Sequence, residues 1–260
     1  MSKPPGRPFR AAIATALTVL VLGAVLWVAD SVFATRAERH ISESIAEEAD
    51  LETSPRVYAG GAIYLSSLVT GTLDTVTIDM LDVDVPGIGM VNASTVLDSV
   101  TVTPAQVLSG DLNGSAVELF SRTLRLDGVA LGSQLGITDL DISNPLDVSP
   151  TGGSASEAQL SGTPTGFAEP VAVVVTLRLV GSEFHMTPVS LVDGPDGTTL
   201  DDVVGDFTWS IDTTQLPLAN RVNAVKMMGG SIYFESQARN VIVSTRELSP
   251  LAAPEDDSDS

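Results

Sequence analysis

Cysteine is absent from the 260 residues. Its absence excludes disulfides, thiolate metal sites, a cysteine nucleophile and a lipid-modified N-terminal cysteine. Aromatic residues are scarce, with seven Phe, three Tyr and two Trp, so the 43% apolar fraction is mostly aliphatic. Histidine occurs twice, at His40 and His185, and two isolated histidines point to surface or packed positions rather than to an acid–base pair. Bases are also few, 13 against 33 acids. Residues 1–40 hold five of the bases (Lys3, Arg7, Arg10, Arg36, Arg39) and two of the acids (Asp30, Glu38), which leaves eight bases and 31 acids beyond. Such a surface repels phosphate backbones and carries no basic stripe, which argues against nucleic acid as a partner. The same field opposes lying flat on anionic lipid heads, so any lipid affinity has to come from buried tails.

Catalytic signatures are missing as well. There is no G-x-S-x-G elbow; the nearest string, "GSQLG" at 132–136, misplaces its serine. No P-loop or dinucleotide fingerprint occurs. Acids gather at Asp79, Asp82 and Asp84, and again at Asp193, Asp196, Asp201 and Asp202. Neither group follows the EF-hand spacing, and both read as turn residues facing water. No catalytic residue, metal ligand or cofactor site is assigned, and the chain is expected not to be an enzyme.

What the chain does have begins with "AAIATALTVLVLGAVLWVA" at 11–29, nineteen uncharged residues. At 1.5 Å per residue this run nearly spans a hydrocarbon core of roughly 30 Å. Lys3, Arg7 and Arg10 precede it, so the positive-inside bias leaves residues 1–10 in the cytoplasm and the remainder outside. A cleaved signal peptide is the rival, with "VFA" at 32–34 as the cleavage site. The apolar run exceeds the usual h-region, however, and Asp30 interrupts it before that site. Residues 30–51 follow as an amphipathic helix, with Phe33, Ala37, Ile41, Ile45 and Ala49 on one stripe. Asp30 or Ser31 is expected to cap this second helix.

Strands dominate from Arg56 onward. Alternation marks 70–80, 97–103, 114–120, 140–144, 171–180, 182–192 and 206–212. Gly181 joins two of these as a hairpin, "DGPDG" at 193–197 reads as a turn, and Gly229-Gly230 signals another hairpin. Residues 121–137 fit either a strand with a turn or a short helix. "PTGGSASEA" at 150–158 reads as a loop, and the acidic tail 249–260 cannot bury a core. The class is α+β, an amphipathic helix packed on a curved, mainly antiparallel sheet, with one domain over 30–248.

The run "VAVVVTLRLVG" at 171–181 is unusual because its second face, Ala172, Val174, Thr176, Arg178 and Val180, is only half polar. Aliphatics also recur on one phase of the other strands. Val76, Ile78, Met80, Val100, Val102, Val171, Val173, Val175, Leu177, Phe207, Trp209 and Ile211 form the candidate lining of an apolar interior. On periodicity alone an ordinary closed core is the simpler reading. The helix stripe is narrow and alanine-rich, however, and a gap left beneath it would suit acyl chains, at about 0.8 kcal/mol per buried methylene.

The order of features resembles the actinobacterial LmeA-like phospholipid-binding proteins of the cell envelope. The likeness runs through the anchor, "AERHISESIAEE", "GGAIYLSSLVTGTLDTVTIDMLDVDV", "AQLSGTPTGFAEPVAVVVTLRLVGSEFHMTPVSL" and "QLPLANRVNAVKMMGGSIYFESQARNVIV". It covers most of 12–243 and fits least well over 104–150. The resemblance implies a tubular lipid-binding (TULIP-like) fold, an extracytoplasmic location, phospholipid as ligand and a part in maintaining mannan-type envelope glycolipids. It carries no catalytic residues across. The alternative function is an anchored, non-enzymatic scaffold with a closed core, binding envelope-synthesis proteins through loops such as 193–202. On the lipid reading, Val175→Asp is expected to abolish uptake of a fluorescent phospholipid, because a charge would stand against the tails.

Overall fold

The computed structural model describes residues 7–51, 53–61, 63–85, 87–145, 156–218 and 220–249, with side chains from Thr15 onward. Residues 150–155 of the loop expected at 150–158, and residues 250–260 of the acidic tail expected from 249, lie outside these residues, while Glu157 and Ala158 belong to a strand.

The two helices expected on either side of Asp30 are one. Helix α1 runs unbroken from Arg7 to Glu48, 42 residues and roughly 60 Å. Nothing in the sequence stops it: "GAVLWVADSVFATRAERH" contains no proline, and its one glycine, Gly23, lies in the apolar half. Ser31 and Thr35 do not cap. Their hydroxyls donate to Trp27 O (3.0 Å) and Ser31 O (2.9 Å) inside the helix.

Among the described residues, eleven antiparallel strands form two sheets. The first contains β1 (Arg56–Gly60), β2 (Thr72–Val85), β3 (Gly89–Thr101), β4 (Ser115–Asp127), β11 (Ser231–Val243) and β10 (Val222–Met228), side by side in that order. The second contains β5 (Asp141–Ser143), β6 (Glu157–Gly162), β7 (Val171–Val180), β8 (Glu183–Asp193) and β9 (Trp209–Asp212), in chain order. Five short helices fill the connections: α2 (Ser67–Thr70), α3 (Pro104–Ser109), α4 (Gly128–Leu135), α5 (Leu200–Val203) and α6 (Thr245–Leu248). The β10–β11 hairpin turns on Gly229 (φ 54°) and Gly230 (φ 73°). Two positive φ values in a two-residue loop make the type I′ turn that matches strand twist.

The ambiguous stretch 121–137 is both things in succession. Strand β4 continues to Asp127, whose carboxylate accepts the N–H groups of Val129 and Ala130 (3.0 Å each) and so starts α4. Gly132 is required there because a Cβ would lie 2.2 Å from Ile137 O.

The first sheet bends along one line. Pairing is regular on both sides of Ser99 and Asn240, yet Ser99–Glu118 and Asn240–Glu118 are missing from otherwise continuous registers. Asp74 and Ser99 interrupt the β2–β3 ladder at the same row. Ser99 and Asn240 take positive φ, 55° and 54°, a conformation that costs a non-glycine residue roughly 1–2 kcal/mol. Four adjacent strands are thus interrupted in one row with no register shift there, while a bulge with Asp82 at φ 54° shifts the β2–β3 register between Met80 and Val83. Helix α1 packs on edge strand β1 and on α3, α6 and the 3-10 turn 64–66, and its Ala37, Ile41 and Ile45 are buried in the apolar interior. The second sheet meets the first through aromatics: Phe184 packs edge-on to Phe234 (4.9 Å between centroids), and Trp209 touches both rings.

Gly110, which ends α3 in the left-handed region (φ 82°), packs closely against α1. A Cβ there would lie 2.7 Å from Ala37 Cα. Gly136 ends α4 in the same conformation (φ 71°) with open space around it. Both alanine substitutions cost about 1–2 kcal/mol in backbone energy. Gly110→Ala is expected to cost a further 1–3 kcal/mol or so from overpacking. Urea unfolding of the two variants measures the difference.

Candidate lipid-binding site

The twelve candidate lining residues fall on two sheets rather than one. Val76, Ile78, Met80 and Val100 sit on β2 and β3, with Val102 just past β3. Val171, Val173, Val175 and Leu177 line β7; Phe207 precedes β9, which carries Trp209 and Ile211. All twelve join one apolar cluster. Ten are buried, while Trp209 and Ile211 are half-buried at its margin. Val76, Val171, Val173, Val175 and Phe207 are 0% exposed, so protein atoms take up their surfaces. An aspartate at 175 would therefore destabilise the fold itself, and loss of uptake in that variant would have two causes. The second face of β7 grades outward from buried Ala172 through half-buried Val174 and Thr176 to exposed Arg178 and Val180. It is a wet face with aliphatic content.

One polar side chain enters this interior that periodicity did not single out. On β4 the buried phase is Phe120, Arg122, Leu124 and Leu126. Arg122 Nε donates to Thr95 Oγ1 (2.9 Å), and Nη1 donates to Pro217 O (3.3 Å) and Ser249 O (3.2 Å). Nη2 donates to Glu247 O, and the guanidinium lies over the Phe120 ring at 5.2 Å. Burial pushes its pKa down to about 10, opposed by the nearby Glu247 charge, so it stays charged at neutral pH. Its acceptors come from 216–218 and from the end of α6, and it pins both segments over the concave sheet. The only sequence signal was its inward phase in "RTLRL".

Helix α1 is fixed to the domain by three polar ties along its length. Asp30 accepts the N–H groups of Tyr64 (3.2 Å) and Leu65 (2.6 Å), capping the 3-10 turn Tyr64–Ser66 instead of its own helix. Glu38 accepts Ala59 N–H (3.0 Å), and Ser42 donates to Pro55 O (2.6 Å). The chain from Pro55 to Leu65 thus runs antiparallel to α1 and ends at Asp30. Tyr64 O–H donates to Val107 O (2.8 Å), and burial, with Glu38 and Asp30 nearby, raises that phenol to about 12.

The outward face of α1 carries a shallow depression of about 590 Å³ lined by Trp27, Val28, Ser31, Val32, Thr35, Arg36 and Arg39. Among the described residues the ion pairs are Glu183–His185 and Lys226–Glu235, so neither arginine is spent on a carboxylate. The described residues contain no group of three or more His, Asp or Glu able to hold a metal.

These features define an α+β protein: a long helix, apolar in its first half, and two antiparallel sheets, one curled, around an aliphatic interior. Residues 28–237 match the LmeA-like phospholipid-binding family, and the chain belongs to that family. No curated protein and no solved structure matches it.

Asp30→Ala removes the acceptor of two amides and is expected to cost about 1–2 kcal/mol locally. Amide exchange at Tyr64 and Leu65 should then quicken roughly tenfold, while exchange at Ala59, held by Glu38, stays unchanged.

Proposed function

We propose that this is a membrane-anchored, extracytoplasmic phospholipid-binding protein that supports upkeep of mannan-type envelope glycolipids and catalyses no reaction. The observation that carries the reading is the family match, which spans the second half of α1 and both sheets. The anchor reading has separate support. A cut after Ala34 would discard Asp30, whose carboxylate makes two hydrogen bonds into the domain, and the family match itself begins at residue 28. The apolar part of α1 has the length and composition to cross a bilayer.

On this reading the tails lie against the aliphatic faces of the two sheets, entering where α1 covers the curl. Side chains on a helix lean toward its N-terminus, so Arg36 and Arg39 reach back along α1 toward the outer leaflet. They are the first cations after the apolar run, in a domain otherwise strongly acidic. Trp27, Val28 and Val32 supply an apolar ramp below them.

A second reading, an anchored scaffold for envelope-synthesis proteins, is favoured by one observation, the buried state of the lining. Organic extraction of the purified full chain followed by mass spectrometry separates the two. Co-purifying phospholipid is the expected result; a protein that extracts clean and takes up no fluorescent phospholipid is the scaffold. A basic residue near an anionic surface contributes about 1 kcal/mol. The double variant Arg36→Gln, Arg39→Gln should therefore lower uptake of fluorescent phosphatidylglycerol by about tenfold or more, and leave a phosphatidylcholine analogue unaffected.

A further inference from the structure

We propose that the segment 63–70, with the end of α3, is a seat that inserts apolar side chains into the outer leaflet beside α1. The proposal rests on the anchor reading above. Residues 11–29 fill the hydrocarbon thickness, roughly 30 Å, so Asp30 stands at the boundary. Its carboxylate holds the N–H groups of Tyr64 and Leu65, which fixes the 63–66 turn at the same height. The domain recedes from there: Ser42, bonded to Pro55 O, lies twelve residues or about 18 Å further along α1.

Three large apolar side chains are exposed on this end. Val69 on α2 is 92% exposed, Ile63 58% and Leu108 on α3 48%. They belong to elements packed on one another and on α1: the 3-10 turn touches α1 and α2, and α3 touches both helices. Tyr64 O–H reaches Val107 O, and Val102 N–H donates to Gly71 O (2.9 Å). The patch is thus tied to the helix on every side and cannot drift from the boundary. Within 63–70 every side chain is uncharged: Ile, Tyr, Leu, Ser, Ser, Leu, Val, Thr. In a domain with 31 acids beyond residue 40, an uncharged stretch such as 63–70, flanked by Asp30, Asp74 and Asp111, is what a bilayer tolerates, and exposed aliphatics there gain by burial in lipid. The lipid surface is chosen over a protein partner because the patch is continuous with the apolar span.

The opposite end provides the control. Strand β4 runs thirteen residues, about 43 Å, from the α3 end to α4, where Val129 is 79% exposed. Because the chain has no cysteine, single substitutions Ile63→Cys, Val69→Cys, Val129→Cys and Val21→Cys can each carry one environment-sensitive fluorophore. The full chain is reconstituted in phosphatidylcholine vesicles containing a minority of phosphatidylglycerol and lipid-borne quencher. Labels at 63 and 69 are expected to shift to the blue and lose emission, as the label at 21 does, whereas 129 keeps its aqueous spectrum. If 63 and 69 behave like 129 while 21 is quenched, the anchor stands and the seat is overturned. If 21 is unquenched as well, the anchor reading fails and takes the seat with it.

Discussion

The carboxylate of Asp30 stands where helix α1 changes character and ties that point to the rest of the chain. Below it α1 is apolar all round; above it the same helix narrows to the stripe Ala37, Ile41, Ile45 and enters a protein core. A helix that runs through such a change without a break transmits its position rigidly, and the tie from Asp30 to Tyr64 and Leu65 transfers that position to the domain. Glu38 and Ser42 repeat the attachment further along. The antiparallel course of 55–65 along α1, the placement of α3 and the close approach of Gly110 to Ala37 all follow from these fixed points.

Much of this was legible in the sequence, and the reasons differ by element. The stripe Phe33, Ala37, Ile41, Ile45 has helical period, and burial of its middle members follows from that alone. Gly229-Gly230 between two alternating runs specifies a two-residue hairpin because few other residues accept positive φ twice in succession. Strands β7 and β8 announce themselves by aliphatic alternation around Gly181. The ends of strands were harder to read. Alternation marks Ser115–Asp127 only as far as Phe120, because "SRTLRLD" places two arginines in a run that otherwise alternates. One of them, Arg122, points inward and is held by main-chain carbonyls more than 90 residues away in sequence. No local pattern reports such a partner.

Asp30 shows a second limit of local reading. An aspartate followed by serine after an apolar run looks like a helix cap, and it does cap a helical turn, but one 34 residues later. The division of the strands into two sheets was hidden for a related reason. Periodicity tells which side chains share a face, not which strands are neighbours, so twelve apolar residues that alternate correctly read as one surface. The kinks at Ser99 and Asn240 left no mark either, since neither residue is a glycine.

The buried lining and a lipid ligand are compatible on energetic grounds. Exchanging a valine–isoleucine contact for a valine–methylene contact leaves the apolar area removed from water nearly constant, and each buried methylene returns about 0.8 kcal/mol. Aliphatic side chains also shift rotamer more cheaply than interlocked aromatic rings, and the aromatic trio Phe184, Trp209 and Phe234 sits at the junction of the sheets, not under α1. The net cost of admitting a tail between helix and curl is then set by the polar ties that must stretch. Asp30, Glu38 and Ser42 make four hydrogen bonds between them, at about 1–2 kcal/mol each. A tail that buries on the order of ten methylenes would offset several such bonds.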